Sequence, residues 1–288
     1  MQSNNPVFRR SEEFNSAGAY GNQTYAGSGT GYTDPSTWST GQPGQPGQSS
    51  TPAPPVATGG PMTIDSVVQK TAIALFVVIV TAGITWAMAP DIDADTTPAD
   101  ISGIIALASI GSLAAFALSM VNSFKRIISP ALVLLFCAAE GVALGAISLV
   151  FESMYPGIVM SAVLGTFGAF AGTLAVYKFF NIKVTDKFRK MVIAAMFGMI
   201  AISLIEVVLS FFGAQIGLFG DGGVGLIFAV LGLALGVFML VLDFDFVEQG
   251  VANGLPDREG WRAAFAMTVS LVWIYTNLLR ILAIMRGD

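Results

Sequence analysis

The 288-residue chain is 54% hydrophobic and 11% charged, with a mean hydropathy of +0.70, which is too apolar for a soluble domain of this length and marks an integral membrane protein. It has no histidine and a single cysteine, Cys137, inside an apolar run. Serine–histidine hydrolases, histidine-ligated zinc or haem, intrachain disulfides and thiolate metal clusters are therefore excluded, and any response to pH near neutrality has to come from carboxylates. The net charge of −5 says little about partners, because acids and bases are segregated by loop, and no nucleic-acid partner, cofactor or enzymatic activity is expected.

Residues 1–61 are rich in Ser, Gly, Thr, Pro, Gln, Asn and Tyr, include the repetitive run Gly41-Gln42-Pro43-Gly44-Gln45-Pro46-Gly47, and lack aliphatic periodicity. That composition predicts a disordered tail, whose spaced aromatics such as Tyr20 and Trp38 follow from the bias itself. The first long apolar run starts near residue 71, too far from Met1 for a signal peptide, so an uncleaved span is expected to act as the insertion signal.

Thr63-Ile64-Asp65-Ser66 reads as a helix start, with Thr63 as N-cap and Asp65 in the first turn. About twenty residues at roughly 1.5 Å each cross the hydrocarbon core. By that ruler seven spans fall near 69–89, 101–121, 130–150, 158–179, 191–213, 224–246 and 263–284, punctuated by Pro90, Pro130, Pro156 and the Gly220–Gly223 cluster. The predicted fold class is all-α: a polytopic bundle of seven transmembrane helices over residues 62–288, behind the tail.

The connections alternate in charge. Those holding Asp91, Asp93 and Asp95, residues 151–156 and residues 213–223 carry no Lys or Arg. Lys125 and Arg126, the group from Lys178 to Lys190, and Arg258 with Arg262 fall on the other side, with Arg9, Arg10 and Lys70. The positive-inside rule then places the N-terminus in the cytoplasm and the C-terminus outside, unless Arg280 and Arg286 mark a re-entrant seventh segment. The acids Asp91, Asp93, Asp95 and Asp100 are expected to form a solvated outer loop, the alternative being that they concentrate cations at the entrance to a path.

Carboxylates inside apolar spans are costly enough to be functional suspects. Glu140 falls near the middle of span three, ahead of Gly141-x-x-x-Gly145, and Glu206 falls in span five between Ser203 and Ser210. Each can ionise, relay a proton, or serve as a protonated structural group. Span four carries Ser161, Gly165, Gly168, Ala169 and Gly172, a small-residue face suited to close helix packing. The Gly217–Asp221 loop falls short of the Gly-x-Gly-Asp pattern of intramembrane aspartyl proteases in spacing and position, so that reading is set aside.

In span six Gly225, Gly232, Gly236 and Asp243 recur at spacings that put all four on one helix face. Gly232-x-x-x-Gly236 admits a second backbone there, so Asp243 is expected to point into the bundle. Asp245, about 200° further round, is expected to reach water or headgroups. In span seven Ser270, Trp273, Asn277 and Arg280 make a second single stripe. These stripes make Asp243 the leading candidate for an ion or proton path, against a plain structural hydrogen bond near a helix end.

The motifs Ser129-Pro130-Ala131-Leu132, Ala139-Glu140-Gly141-Val142-Ala143-Leu144-Gly145-Ala146-Ile147-Ser148, Leu242-Asp243-Phe244-Asp245-Phe246-Val247-Glu248-Gln249-Gly250 and Asn277-Leu278-Leu279-Arg280 resemble, together, the Bax inhibitor-1 family and its bacterial YccA-like branch. The resemblance covers about residues 62–285. It implies a seven-helix bundle whose last helix is surrounded by the others, a bacterial cell membrane, and a calcium leak controlled by pH. It also implies an aspartate at the end of helix six paired with a second in helix seven, near a basic residue at the end of helix two. Asp243 corresponds to the first, and Lys125 or Arg126 to the basic residue. Ser270 stands where the second aspartate would be, and Asn277 has no carboxylate either. Two close carboxylates share a proton and form a proton-sensitive latch, a device that a carboxylate facing a serine lacks.

Two functional expectations follow. The first is a cation leak with calcium as the permeant ion, Asp243 as acidic ligand or gate, and Asp245, Glu206 and Glu140 along the path, with Lys125, Arg126, Ser270, Asn277 and Arg280 as latch partners. The second, which the YccA resemblance also allows, is a non-conducting regulator that captures another membrane protein, such as a quality-control protease, through residues 1–61. Inverted repeats of the kind found in secondary transporters are not evident.

Overall fold

The computed structural model describes residues 60–90, 92, 98–180 and 182–287, with the backbone alone at 98–100. The expectations for the tail before residue 60, for Asp91, Asp93 and Asp95, and for the Asp100 side chain lie outside the described residues. Seven helices follow in order: α1 (Ile64–Met88), α2 (Pro98–Phe124), α3 (Pro130–Met154), α4 (Ile158–Phe179), α5 (Asp186–Phe211), α6 (Gly223–Ala252) and, after a 3-10 turn at Asp257–Glu259, α7 (Gly260–Gly287). All seven are long and apolar enough to cross a membrane, so the chain is an all-α integral membrane protein.

Local chemistry sets where the helices begin. The Thr63 hydroxyl accepts from the Ser66 amide at 3.1 Å and opens α1. Thr185 does the same for α5 through the Phe188 amide at 3.2 Å. Pro130 occupies the first turn of α3, where its missing N–H costs nothing. The helices overrun the spans marked by hydropathy: α1 starts at residue 64 and α6 runs on to 252, because polar turns such as Glu248-Gln249 continue the helix beyond the apolar stretch.

Of their apolar stretches, α3 and α7 have 56% and 50% buried, against 11% for α5. These two helices are therefore central and α5 peripheral. Helix α7 packs against α1, α3, α4 and α6, while α2 lies chiefly on α3, and α5 on α6. The last helix thus lies among its neighbours, as the resemblance implied. One core joins α1, α3, α4 and α7, with Phe136 edge-on to Phe265 at 5.0 Å. A second lies between α4, α6 and α7, where Phe244 meets Phe170 and Tyr177.

Close backbone approach holds α1 to α3. A methyl group on Gly141 would sit 2.5 Å from the Val78 carbonyl, and one on Gly145 would sit 2.5 Å from that of Ala82, so neither position admits a side chain without moving a helix. The small-residue face expected on α4 is only partly used. Gly165 meets the Leu278 side chain, but Gly168 and Gly172 face open space, since α4 reaches its neighbours through larger residues such as Phe170 and Tyr177.

One end of the bundle gathers residues 60–70 with the α2–α3, α4–α5 and α6–α7 turns. Met62 N–H donates to the Leu255 carbonyl at 2.7 Å, Lys70 pairs with Asp257 at 2.8 Å, and Arg258 donates to the Ile128 carbonyl at 2.8 Å. The opposite end holds the α3–α4 turn and the end of α7, where Arg286 donates to the Pro156 carbonyl at 2.8 Å. Helix α7 therefore runs unbroken from one end of the bundle to the other.

Candidate functional site

The two stripes read separately in the sequence face each other. Helices α6 and α7 run antiparallel, so partners ascend on one as they descend on the other. The Ser270 hydroxyl donates to the Asp243 carboxylate at 2.6 Å. Gly236 lies against Ile274 and Trp273, and Gly232 against Asn277, while the Trp273 indole N–H donates to the Gly232 carbonyl at 2.8 Å. Gly225 lies beside Arg280. Each glycine removes a side chain where α7 presents a bulky one, so the helices approach closely and Asp243 is held inside the bundle.

Asp243 is half-buried and also borders a cavity of about 170 Å³ between α5 and α6, lined by Val192, Ile193, Met196, Met239 and Leu242. Among the described residues no second carboxylate faces it: Ser270, itself buried, is its hydrogen-bonding partner. The basic partner expected at the end of helix two is also missing from this site. Lys125 and Arg126 are exposed and neither forms an ion pair among the described residues; Arg126 offers only its carbonyl, to Arg262 at 3.1 Å. The reason is positional, since α2 packs on α3 and not on α6. Asn277 donates to the Trp273 carbonyl at 2.7 Å, so it braces its own helix and does not engage Asp243.

Asp245 corrects the expectation made for it. It is buried at 7% exposure, pairs with Arg189 at 2.8 Å, and accepts from the Gln249 amide at 2.7 Å. The side of α6 opposite α7 is covered by α4 and α5, so a turn of about 200° from Asp243 leads to another protein face and not to water. One turn on, Glu248 accepts from the Tyr177 hydroxyl at 2.6 Å. Arg189, Tyr177 and Glu248 were not singled out in the sequence. The available signal was Arg189 within the basic group 178–190, with α6 continuing past residue 246.

Glu206 is buried, and its two oxygens accept from the backbone N–H groups of Ile216 and Gly217 at 2.8 and 3.0 Å. Gly217 has φ 89°, a left-handed conformation that lets the chain fold back onto the carboxylate. From α7, Arg280 donates to the carbonyls of Leu218 and Gly220, and its guanidinium stands 5.5 Å from the Phe219 ring centre. The α5–α6 loop is thus fastened on both sides, by a carboxylate on its amides and a guanidinium on its carbonyls. Glu140, by contrast, has no hydrogen bond or ion pair among the described residues, and borders a separate cavity between α2, α3 and α7.

No group of three His, Cys, Asp or Glu side chains capable of holding a metal occurs among the described residues. Asp243 and Ser270 supply two kinds of oxygen ligand, whereas calcium takes about six to eight.

Comparison with curated proteins gives no match. A protein-family model described as Bax inhibitor 1 like matches residues 5–287, a longer stretch than the motifs alone suggested and one that takes in most of the segment before residue 62. The chain belongs to that Bax inhibitor 1 like family.

Proposed function

We propose that this Bax inhibitor 1 like protein is a pH-sensitive cation leak, with calcium as the permeant ion and Asp243 as gate or ligand near the cytoplasmic end of α6. The observation that carries the reading is the placement of Asp243. A carboxylate lies inside a glycine-lined helix pair, hydrogen-bonded to a serine and bordering a cavity, and an ionisable group placed in a span is a functional suspect. The cytoplasmic assignment follows from charge: Lys70, Lys125, Arg126, Lys183, Lys187, Lys190 and Arg262 collect at the end of the bundle nearest Asp243. A bacterial cell membrane is the setting that the YccA-like motifs support.

Two side-chain networks bracket the path. At the inner end Arg189 and Asp245 tie α5 to α6, and at the outer end Glu206 and Arg280 hold the α5–α6 loop. In this reading neither is a step for the ion. The first holds the walls beside Asp243 together, and the second keeps the outer loop folded over the bundle. Reconstitution in liposomes with an internal calcium dye tests the proposal: flux above that of empty vesicles is expected, and flux equal to empty vesicles overturns it.

The second reading, a non-conducting regulator acting on another membrane protein through residues before 60, is favoured by one observation. Ser270 occupies the position facing Asp243, so the paired-carboxylate latch is absent.

A further inference from the structure

The cavity between α2, α3 and α7 has a volume of about 290 Å³ and is lined by Phe116, Phe136, Glu140, Trp273 and Thr276 among others. Glu140 lies ten residues into a helix of 25, or about 15 Å along its axis, which is mid-bilayer depth. The other embedded acids all have partners: Asp243 has Ser270, Asp245 has Arg189 and Gln249, and Glu206 has two backbone N–H groups. Among these embedded acids of the described residues, Glu140 is the one that borders a cavity without a protein hydrogen-bond donor. A carboxylate without a partner in low dielectric is costly, and a cation in the cavity would offset that cost.

The walls select the kind of cation. A hard divalent ion needs about six oxygens, but beside the Glu140 carboxylate the lining side chains offer only the hydroxyls of Ser112, Ser119 and Thr276, and the rest of the lining is aromatic and aliphatic. Aromatic faces attract alkylammonium groups once these are desolvated. Two of the three rings are held in place. The Trp273 indole is tied to the Gly232 carbonyl, and Phe136 is locked edge-on to Phe265. The third, Phe116, is 63% exposed on the lipid-facing side of α2, which leaves the cavity open laterally.

We propose that this cavity is a binding site for a lipophilic organic ammonium cation that enters from the bilayer, with Glu140 as counter-ion and Phe116, Phe136 and Trp273 as the aromatic walls. The site does not rest on the leak reading: its carboxylate is Glu140 of α3 and not Asp243 of α6, although Trp273 borders both the cavity and the α6–α7 contact. Its mid-bilayer depth selects a freely diffusing organic ammonium ion over the choline headgroup of a phospholipid, which stays at the interface.

The test uses the full chain in nanodiscs, with empty nanodiscs subtracted. Equilibrium binding is measured for benzyltrimethylammonium and for neopentylbenzene, its neutral isostere. The wild type is expected to bind the cation about tenfold more tightly than the isostere, the discrimination that a desolvated cation–aromatic and carboxylate site provides. Glu140→Gln removes that preference and leaves isostere binding unchanged, Phe116→Leu weakens cation binding several-fold, and Asp243→Asn changes neither. Equal binding of cation and isostere by the wild type overturns the proposal without recourse to any variant. Unchanged cation binding in Glu140→Gln, or displacement of the cation by millimolar calcium, overturns it as well.

Discussion

Replacing Glu206 by glutamine separates a structural anchor from a step in an ion path. The carboxylate accepts two backbone N–H bonds, from Ile216 and Gly217, at a site only 5% exposed. Hydrogen bonds to a charged group contribute about 1.5–3 kcal/mol each, and a buried donor left unpaired costs about 1–3 kcal/mol. Glutamine keeps one acceptor and turns an N–H₂ toward the second amide, so loop closure is expected to weaken by about 2–4 kcal/mol. At about 1.4 kcal/mol per factor of ten, the loop should then open at least about 25-fold more often. Hydrogen exchange followed by mass spectrometry over residues 212–222 reads this directly. Faster exchange in Glu206→Gln, with cation flux retained, is the expected result. Unchanged protection together with abolished flux would refute the anchor and return Glu206 to the ion path.

Arg189→Gln and Asp245→Asn should each lower thermal stability, and the double variant should lose less than the sum. The expected coupling is about 1–2 kcal/mol, because Asp245 is buried but the Arg189 side chain is 43% exposed. Additive losses would show that the pair is incidental. Ser270→Asp sets a second carboxylate against Asp243 at a hydrogen-bonding separation, and coupled acids titrate in two macroscopic steps. Flux against pH should then show two steps where the wild type shows one, and an unaltered profile would dissociate Asp243 from the pH response. Deleting residues 1–58 leaves the Gly60 carbonyl to receive the Asp257 amide at 3.0 Å. A leak keeps conducting in that variant, whereas a regulator working through the tail loses its partner on pull-down.

The membrane architecture was readable because its cause is local. Seven apolar stretches separated by proline, glycine and charge have few other solutions, and the cap at Thr63 and the first-turn proline Pro130 behave as their side-chain chemistry requires. The stripes on α6 and α7 were also legible, since helical periodicity alone places Asp243 with Gly225, Gly232 and Gly236, and Ser270 with Arg280. What periodicity does not contain is the partner of each face. Asp245 looked solvent-directed because nothing in a single helix says that α4 and α5 cover its second side. Glu206 looked like an internal relay because its ligands are backbone amides of a loop, which no side-chain pattern records. Lys125 and Arg126 were near the right end of the bundle but in the turn after a helix that packs chiefly on α3, a fact of packing order and not of spacing.

The account rests most directly on Asp243 and is tested by calcium flux into liposomes, measured across pH, for the wild type and Asp243→Asn. Asparagine is nearly the same size and its carbonyl can still accept from Ser270, so the fold is kept while the titrating charge is removed. The account predicts wild-type flux above empty vesicles that changes with pH, and at least about a tenfold loss of flux and of its pH dependence in the variant. Flux in Asp243→Asn that matches the wild type at every pH would contradict it.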